Sequence, residues 1–294
     1  MSIKKTLING IWTDQVNAND RGLSYGDGVF ETLKIHQQNP VFWTQHLGRL
    51  RRGCDTLGIN FDTEQQLKLE RELQLLCRSM DSGEGVVKIV ITRGSGGRGY
   101  RPSANISPQR ILSCSEPPLY PSSHYGSGIE LFLCNTRLSK NPTLAGIKHL
   151  NRLEQVLARS EWQDQCEEGV VRDYDGFVIE GTMSNLFLLK DGGLITSTIE
   201  QSGVQGVVRD WVIKRSIQES IPLQQQPITL EQLYRADGIF MTNSLIGIWP
   251  VRCFQQRQFA PQLLIRRLQQ WLRQDEIASA ADYAVRYQCN GKDS

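Results

Sequence analysis

The sequence predicts an α/β (α+β) chain of two domains, a small N-terminal α/β domain and a larger C-terminal one built on a curled, barrel-like sheet. Three observations lead there. Segments with a two-residue apolar period and segments with a 3.6-residue period are mixed along all 294 residues, without repeats or low-complexity tracts. A proline-rich stretch, Pro117-Pro118-Leu-Tyr-Pro121-Ser-Ser, reads as a linker and divides the chain into 1–118 and 119–294. Beyond it, several short strands bounded by turn signals follow one another.

The elements follow in order. Leu7-Ile-Asn9-Gly10-Ile-Trp12 reads as a hairpin around an Asn-Gly turn, which tolerates the positive φ that tight hairpins require. A loop rich in Gly and Asp spans 20–28, and a strand spans 29–35. His46, Leu47, Leu50 and Cys54 share one face of a helix over Trp43–Leu57, and Thr63 is placed to cap a second helix running to Met80. Gly85–Thr92 and 110–114 are strands. After the linker come a strand over 129–135 and an apolar run, Leu144 to Ile147, closed by Lys148. A helix to residue 165 has Leu150, Leu153, Val156 and Leu157 at three- and four-residue spacing. Short strands cover Glu168–Asp173, 177–179 and 185–189, with Asp175-Gly176 as a turn. A helix begins near Gly206, a strand covers 238–242, and an amphipathic helix spans 262–273.

Composition excludes several classes. A net charge of +2 gives no global attraction to nucleic acid or an anionic membrane surface. No apolar run approaches the ~20 residues that span a bilayer. The N-terminal Met1-Ser-Ile-Lys-Lys runs straight toward the hairpin, unlike a signal peptide. The seven cysteines (Cys54, Cys77, Cys114, Cys134, Cys166, Cys253, Cys289) are widely spaced and form no CxxC pair, and there are four histidines, so neither a disulfide framework nor a metal site is expected. A cytoplasmic setting fits.

Lys148 is the residue with the most chemistry. A lysine after a strand is usually solvated. One held at a strand-to-helix corner against apolar neighbours loses hydration, which favours the neutral, nucleophilic amine of a Schiff-base lysine. Glu180 ends the apolar strand of Phe177-Val-Ile-Glu-Gly-Thr-Met-Ser-Asn-Leu-Phe187. It is either a solvated strand end or the acid that keeps a pyridine nitrogen protonated, which is how pyridoxal phosphate becomes an electron sink. Ser202-Gly-Val204-Gln205-Gly206 is a glycine-rich turn opening a helix, where backbone N–H groups of Val204 and Gln205 suit a phosphate. Thr242, Asn243 and Ser244 add donors after another strand, and Arg49 adds charge.

Gly94-Ser-Gly96-Gly-Arg98-Gly99 satisfies GxGxxG literally. A dinucleotide fingerprint needs its last glycine to open a helix, and Tyr100-Arg101-Pro102 follows instead. A loop whose arginines grip carboxylates is the better reading.

Taken together and in order, the loop Asp20-Arg-Gly-Leu-Ser-Tyr25-Gly-Asp27-Gly-Val-Phe30-Glu31-Thr32, Leu47-Gly-Arg49-Leu, Lys148, Glu180-Gly-Thr-Met-Ser-Asn-Leu-Phe187 and the glycine turn resemble the class IV aminotransferase family, the fold-type IV pyridoxal phosphate enzymes. The resemblance covers nearly the whole chain. It implies a homodimer, with pyridoxal 5'-phosphate held at the domain interface by Lys148, Glu180, Arg49, Val204, Gln205, Thr242 and Asn243. Ile91–Tyr100 and Asn141–Leu157 look most like the lyase branch, which makes 4-aminobenzoate and pyruvate from 4-amino-4-deoxychorismate for folate. That dicarboxylate implies cationic contacts, with Arg93, Arg98 and Arg101 as candidates, joined by Tyr25. Phe30-Glu31-Thr32 is the form common among the aminotransferases, so a D-amino acid or branched-chain aminotransferase is the alternative. A non-catalytic scaffold of the same fold is a third reading.

Overall fold

The computed structural model describes residues 5–104 and 106–288. Met1 to Lys4 and Cys289 lie outside the described residues. The chain divides into two compact units, Met1–Pro118 with Ile147–Asn151 and Arg273–Ser294, and Leu119–Gly146 with Arg152–Leu272. The break after Pro118 falls on the proline-rich stretch. The second domain expected over 119–294 is interrupted, because Ile147–Asn151 is hydrogen-bonded into the first unit. Phe30 N donates to Lys148 O and Leu150 N to Gly28 O, each at 2.9 Å.

The first unit contains β1 (Thr6–Ile8), β2 (Ile11–Trp12), α1 (Arg21–Tyr25), β3 (Gly28–His36), β4 (Asn39–Pro40), α2 (Trp43–Leu57), α3 (Thr63–Arg78), β5 (Gly85–Thr92) and β6 (Gln109–Ser115). Its six strands form an antiparallel sheet in the order β2-β1-β6-β5-β3-β4. Asn9 (φ 49) and Gly10 (φ 83) make the expected tight turn. Along β3 every second residue is buried, so one face meets α2 and α3 through Leu33, Leu50, Leu69, Leu73 and Ile89. Each such side chain contributes about 2 kcal/mol by leaving water.

Two expectations change in this unit. The 20–28 loop contains a short helix, because Asp20 caps it by accepting from Gly22 N and Leu23 N and Gly26 closes it in the left-handed region. Asp62, not Thr63, caps α3, accepting from Gln65 N.

The second unit contains α4 (Ser123–Gly126), β7 (Ile129–Leu138), α5 (Leu153–Arg159), β8 (Glu168–Asp173), β9 (Val178–Gly181), β10 (Asn185–Lys190), β11 (Gly193–Thr196), α6 (Val207–Gln218), β12 (Leu223–Gln225), α7 (Leu230–Tyr234), β13 (Gly238–Asn243), β14 (Gly247–Phe254), β15 (Arg257–Gln258) and the start of α8 (Leu263–Gln288). Its strands run β12-β11-β10-β13-β14-β7-β8-β9, with β15 beside β14. Register shifts at Val251/Cys253, Leu133/Arg137 and Val171/Arg172 mark bulges, the device by which a sheet curls into this half-barrel. One core, on one face, includes Leu186, Leu188, Ile239, Met241 and Trp249.

Around Lys148 the local structure differs from the expected corner. Leu144–Ile147 is a turn rather than a strand, and the helix is confined to α5. Its helical spacing does not mark a core face. Leu153, Val156 and Leu157 are 70%, 57% and 54% exposed. The last helix, expected to stop at residue 273, continues to Gln288. In the first unit Tyr283 packs edge-on against Trp43 at 6.4 Å, and Glu276 pairs with Lys34 at 2.8 Å.

Candidate active site

In the first unit the chemistry gathers at the start of β3. The bonds from Phe30 and Leu150 fix the backbone on both sides of Lys148. The side chain is half-buried, and its Nζ lies 4.5 Å from the centroid of the Phe30 ring, an aromatic face that favours a cation. One residue on, Glu31 points into the layer between β3 and α2. Arg49 Nε and Nη2 donate to its two carboxylate oxygens at 2.7 and 2.6 Å, and His46 Nδ1 donates to Oε2 at 2.6 Å. All three are buried.

Burial alone would raise the Glu31 carboxyl. The charge and hydrogen bonds of Arg49, then His46, overcome that and hold it at about 2. Burial lowers His46; Glu31 opposes the shift, while Arg49 and Lys148 add to it. The arrangement is therefore a glutamate, an arginine and a neutral imidazole that donates from Nδ1. Sequence reasoning assigned Arg49 to the phosphate and singled out neither Glu31 nor His46, the partners it meets here. A Glu on β3 and a His three residues before Arg49, on the same helical face, were the available signal.

The 20–28 loop and the 93–101 loop form a second assembly in the same unit. Arg93 Nε and Nη2 hold both oxygens of Asp27 at 2.7 and 3.0 Å, and Nη1 and Nη2 also donate to Gly58 O and Leu57 O. Arg21 Nε takes the same carboxylate at 2.9 Å, and its Nη1 and Nη2 donate to Gly99 O and Tyr100 O. Burial would raise Asp27, but the two arginines, Arg93 first, keep it below the usual carboxylate range. Arg93, expected to meet a substrate carboxylate, is thus committed to a structural fork. Arg98 and Arg101 are exposed on the loop. Tyr25 meets Tyr100 edge-on at 5.5 Å.

In the second unit, Glu180 is buried at the end of β9 and accepts from Val204 N at 2.8 Å and Asn185 Nδ2 at 3.3 Å. Asn185 Nδ2 also donates to Val204 O at 2.8 Å, so the glycine turn is tied directly to the acid. Gly203 needs its positive φ of 89°, and a Cβ there would lie 2.8 Å from Ile179 and 3.2 Å from the Glu180 carboxylate.

Two of the N–H groups expected to meet an anion are already in use. Val204 N–H is given to Glu180 and Gln205 N–H to Gly146 O. The first turn of α6, the helix end that the glycine turn opens, keeps its own available. Gly206 caps it without a side chain, and the N–H groups of Val207 and Val208 have no acceptor among the described residues. Beside this turn, through Asn185, whose strand partner it is, Thr242 holds a buried Oγ1 without a hydrogen-bond partner. Asn243 is consumed by its own turn, accepting from Leu245 N and Ile246 N and donating to Met183 O. Two helix-end N–H groups and an orphaned hydroxyl, close to a buried acid, fit a ligand with an anionic end and a basic ring nitrogen.

Glu168 is the residue the sequence hid. Only 1% exposed, it accepts from Gly169 N, Thr182 N, Thr182 Oγ1, Met183 N and Ser184 Oγ at 2.6–3.3 Å. It thereby fixes the tight turn between Glu180 and Asn185. Its only sequence signal was an acid opening a run of buried residues.

This fold and these clusters belong to one class of protein. Residues 28–254 match the amino-transferase class IV family, and the chain is a member of it. It is similar to an aminodeoxychorismate lyase of Vibrio harveyi, 36% identical over 245 residues that cover 83% of this chain and 89% of the relative. A crystal structure of 4-amino-4-deoxychorismate lyase from Pseudomonas aeruginosa superposes with a TM-score of 0.87 at 44% identity, covering 92% of this chain and 98% of the other. A putative branched-chain-amino-acid aminotransferase of Methanocaldococcus jannaschii is 31% identical, covering 84% of this chain and 86% of its own.

Proposed function

We infer that this chain is a pyridoxal phosphate-dependent lyase that converts 4-amino-4-deoxychorismate to 4-aminobenzoate and pyruvate in folate biosynthesis. The observation that carries the reading is its likeness to two proteins of that name, one at 44% identity over nearly the full length of both chains. Pyridoxal phosphate, when bound, supplies a cationic ring that accepts the electron pair released from the substrate.

The chain's own residues divide the remaining work. Lys148 Nζ is the attachment amine. As a free amine it would take the proton from the substrate ring carbon bearing nitrogen, and as an ammonium it would return a proton to the departing enolpyruvate. Enolpyruvate leaves as pyruvate, and the substrate ring becomes aromatic. Glu180 keeps a proton at the ring nitrogen, while Asn185 and the Val204 amide hold the acid in place. The first turn of α6 and Thr242 bind the phosphate. Arg98 and Arg101 are the cations for the substrate's two carboxylates.

Incubation with 4-amino-4-deoxychorismate tests the assignment by formation of 4-aminobenzoate and pyruvate in equal amounts. Amino-group exchange between an amino acid and a 2-oxo acid, without 4-aminobenzoate, would establish the aminotransferase reading that Glu31 and the 31% identical relative favour. A colourless protein with no cofactor band sensitive to Lys148→Ala would leave a scaffold.

Two further assignments belong to the same proposal. The exposed Leu153, Val156 and Leu157 on α5 suit burial against a second copy in a homodimer. No helix among the described residues is long and apolar enough to cross a membrane, and Cys54, Cys77, Cys114, Cys134, Cys166 and Cys253 carry free thiols, which suits the reducing cytoplasm.

A further inference from the structure

Buried arginines elsewhere in the chain have acceptors. Arg21 holds Asp27, Arg49 holds Glu31, Arg110 holds Glu72, and Arg209 donates to Ser197 O and Gln225 Oε1. Arg137 and Arg172, half-buried, break the pattern. They are direct partners in the parallel pair β7–β8, so their side chains leave the sheet on the same face, from strands about 4.8 Å apart. A bulge precedes each one, between Leu133 and Arg137 on one side and between Val171 and Arg172 on the other, and bulges re-aim side chains.

Neither guanidinium has a hydrogen bond or ion pair among the described residues, and Arg137 Nη1 and Arg172 Nε are buried with no acceptor. The titratable groups acting on Arg172 are Arg137, Cys134 and Tyr234, none of them a carboxylate. Asp173, the next residue, turns the other way, accepting from Phe177 N and facing Lys140 at 3.8 Å. Two like charges are therefore held side by side with buried donors unmet, an arrangement that costs free energy until an acceptor arrives.

We propose that Arg137 and Arg172 form a binding site for a small oxyanion, with the phosphate or carboxylate group as the recognised chemistry. An anion with two or more oxygens can take an N–H from each planar fork and cancel the repulsion between them. The assignment does not rest on the lyase reaction.

The test uses the purified full chain saturated with pyridoxal phosphate, in a chloride-only buffer, titrated with inorganic phosphate and separately with malonate. Thermal unfolding of the wild type shifts upward with at least one of them, and which one responds identifies the source of the oxyanion. Arg172→Leu loses that shift. Without added anion it melts at or above the wild-type temperature, because it removes a like-charged neighbour and an unmet donor. Arg172→Lys keeps the charge but not the fork, and needs about tenfold more anion for half the shift. Equal shifts in wild type and Arg172→Leu, no shift with either anion, or an unchanged requirement in Arg172→Lys would overturn the site. So would an Arg172→Leu protein that melts well below wild type in chloride alone.

Discussion

Glu31 and Glu168 are both 1% exposed, yet their surroundings differ in kind. In the first unit Glu31 is met by a guanidinium and an imidazole, three contacts at 2.6–2.7 Å, with a formal charge opposite its own. In the second, Glu168 is met by three backbone N–H groups and two hydroxyls, with no cation among its bonded partners. A charge pair draws its strength from one partner and leaves that partner's loss uncompensated. A ring of neutral donors spreads the same task over five groups and, because three are backbone, shapes the chain as well. The first design anchors Arg49 beside β3, and the second shapes the turn that carries Glu180 and Asn185.

The widest gap should appear on removing the cation. Arg49→Ala strands a buried carboxylate, an expected loss of about 3–5 kcal/mol in urea unfolding. Joint replacement of Glu31 and Arg49 by apolar residues of similar volume should recover most of it, since the desolvation of both charges disappears together. A loss below ~1 kcal/mol for Arg49→Ala would mean that Glu31 finds other support, and the contrast between the units would fail.

Acid comes next. Glu31 falls from 4.5 to about 2 on folding, so its folded form binds a proton less readily than the unfolded chain. Its contribution is therefore fully present above the unfolded value, and is lost as pH falls from there toward about 2. The amount is on the order of 3 kcal/mol, from 1.36 kcal/mol per unit. His46 has the same sign, because its folded value also lies below the unfolded 6.5, and its part begins to fade as pH drops below that point. Unfolding free energies measured between about pH 7 and pH 3 should show the advantage of wild type over Glu31→Gln shrinking with acidity. A constant advantage would sink the assignment.

A smaller effect is expected at Glu168. Glu168→Gln keeps one acceptor oxygen and turns an amide against donors, at a cost of about 2 kcal/mol. The loss should be local as well. Hydrogen exchange at the Thr182 and Met183 amides should accelerate before cofactor is added, a readout that needs no turnover. If those amides stay protected, Glu168 does not order the turn.

The residues explain how much of this was readable beforehand. β3 was legible because burial on one face leaves a two-residue imprint, and β5 because Val86-Val-Lys-Ile-Val-Ile91 is a β-branched run broken by a single charge. One break between the units lies after Pro118, where chain stiffness is written in residue type, while the return of Ile147–Asn151 to the first unit leaves no such mark. Lys148 and Glu180 stood out as charged residues closing apolar runs. Glu31, His46 and Glu168 did not, because their partners come mostly from other elements and the donors around a carboxylate leave no periodic trace. Val204 and Gln205 were misjudged for a related reason. A glycine-rich turn announces available N–H groups, but Glu180 and Gly146 O had already claimed them, and the unclaimed pair sits three residues later. In α5 the helical period was real, while the surface it covers is exposed in the single chain.

The smallest effect has the opposite sign and separates the Glu31 cluster from the helix that carries part of it. Gly48 lies within α2, two residues after His46 and one before Arg49, and an added Cβ would meet nothing closer than Arg52 Nη1 at 3.8 Å. Glycine costs a helix interior about 0.5–1 kcal/mol relative to alanine through chain entropy. Gly48→Ala should therefore stabilise by that amount, equally at neutral and acid pH, because no titrating contact changes. Gly53, five residues further along the same helix, has Val29 Cγ1 at 2.8 Å from the same hypothetical atom, so Gly53→Ala should destabilise. If Gly48→Ala altered the acid limb of the stability curve as well, helix rigidity and the ionisation of Glu31 would be coupled. The charge pair would then no longer be separable from its scaffold.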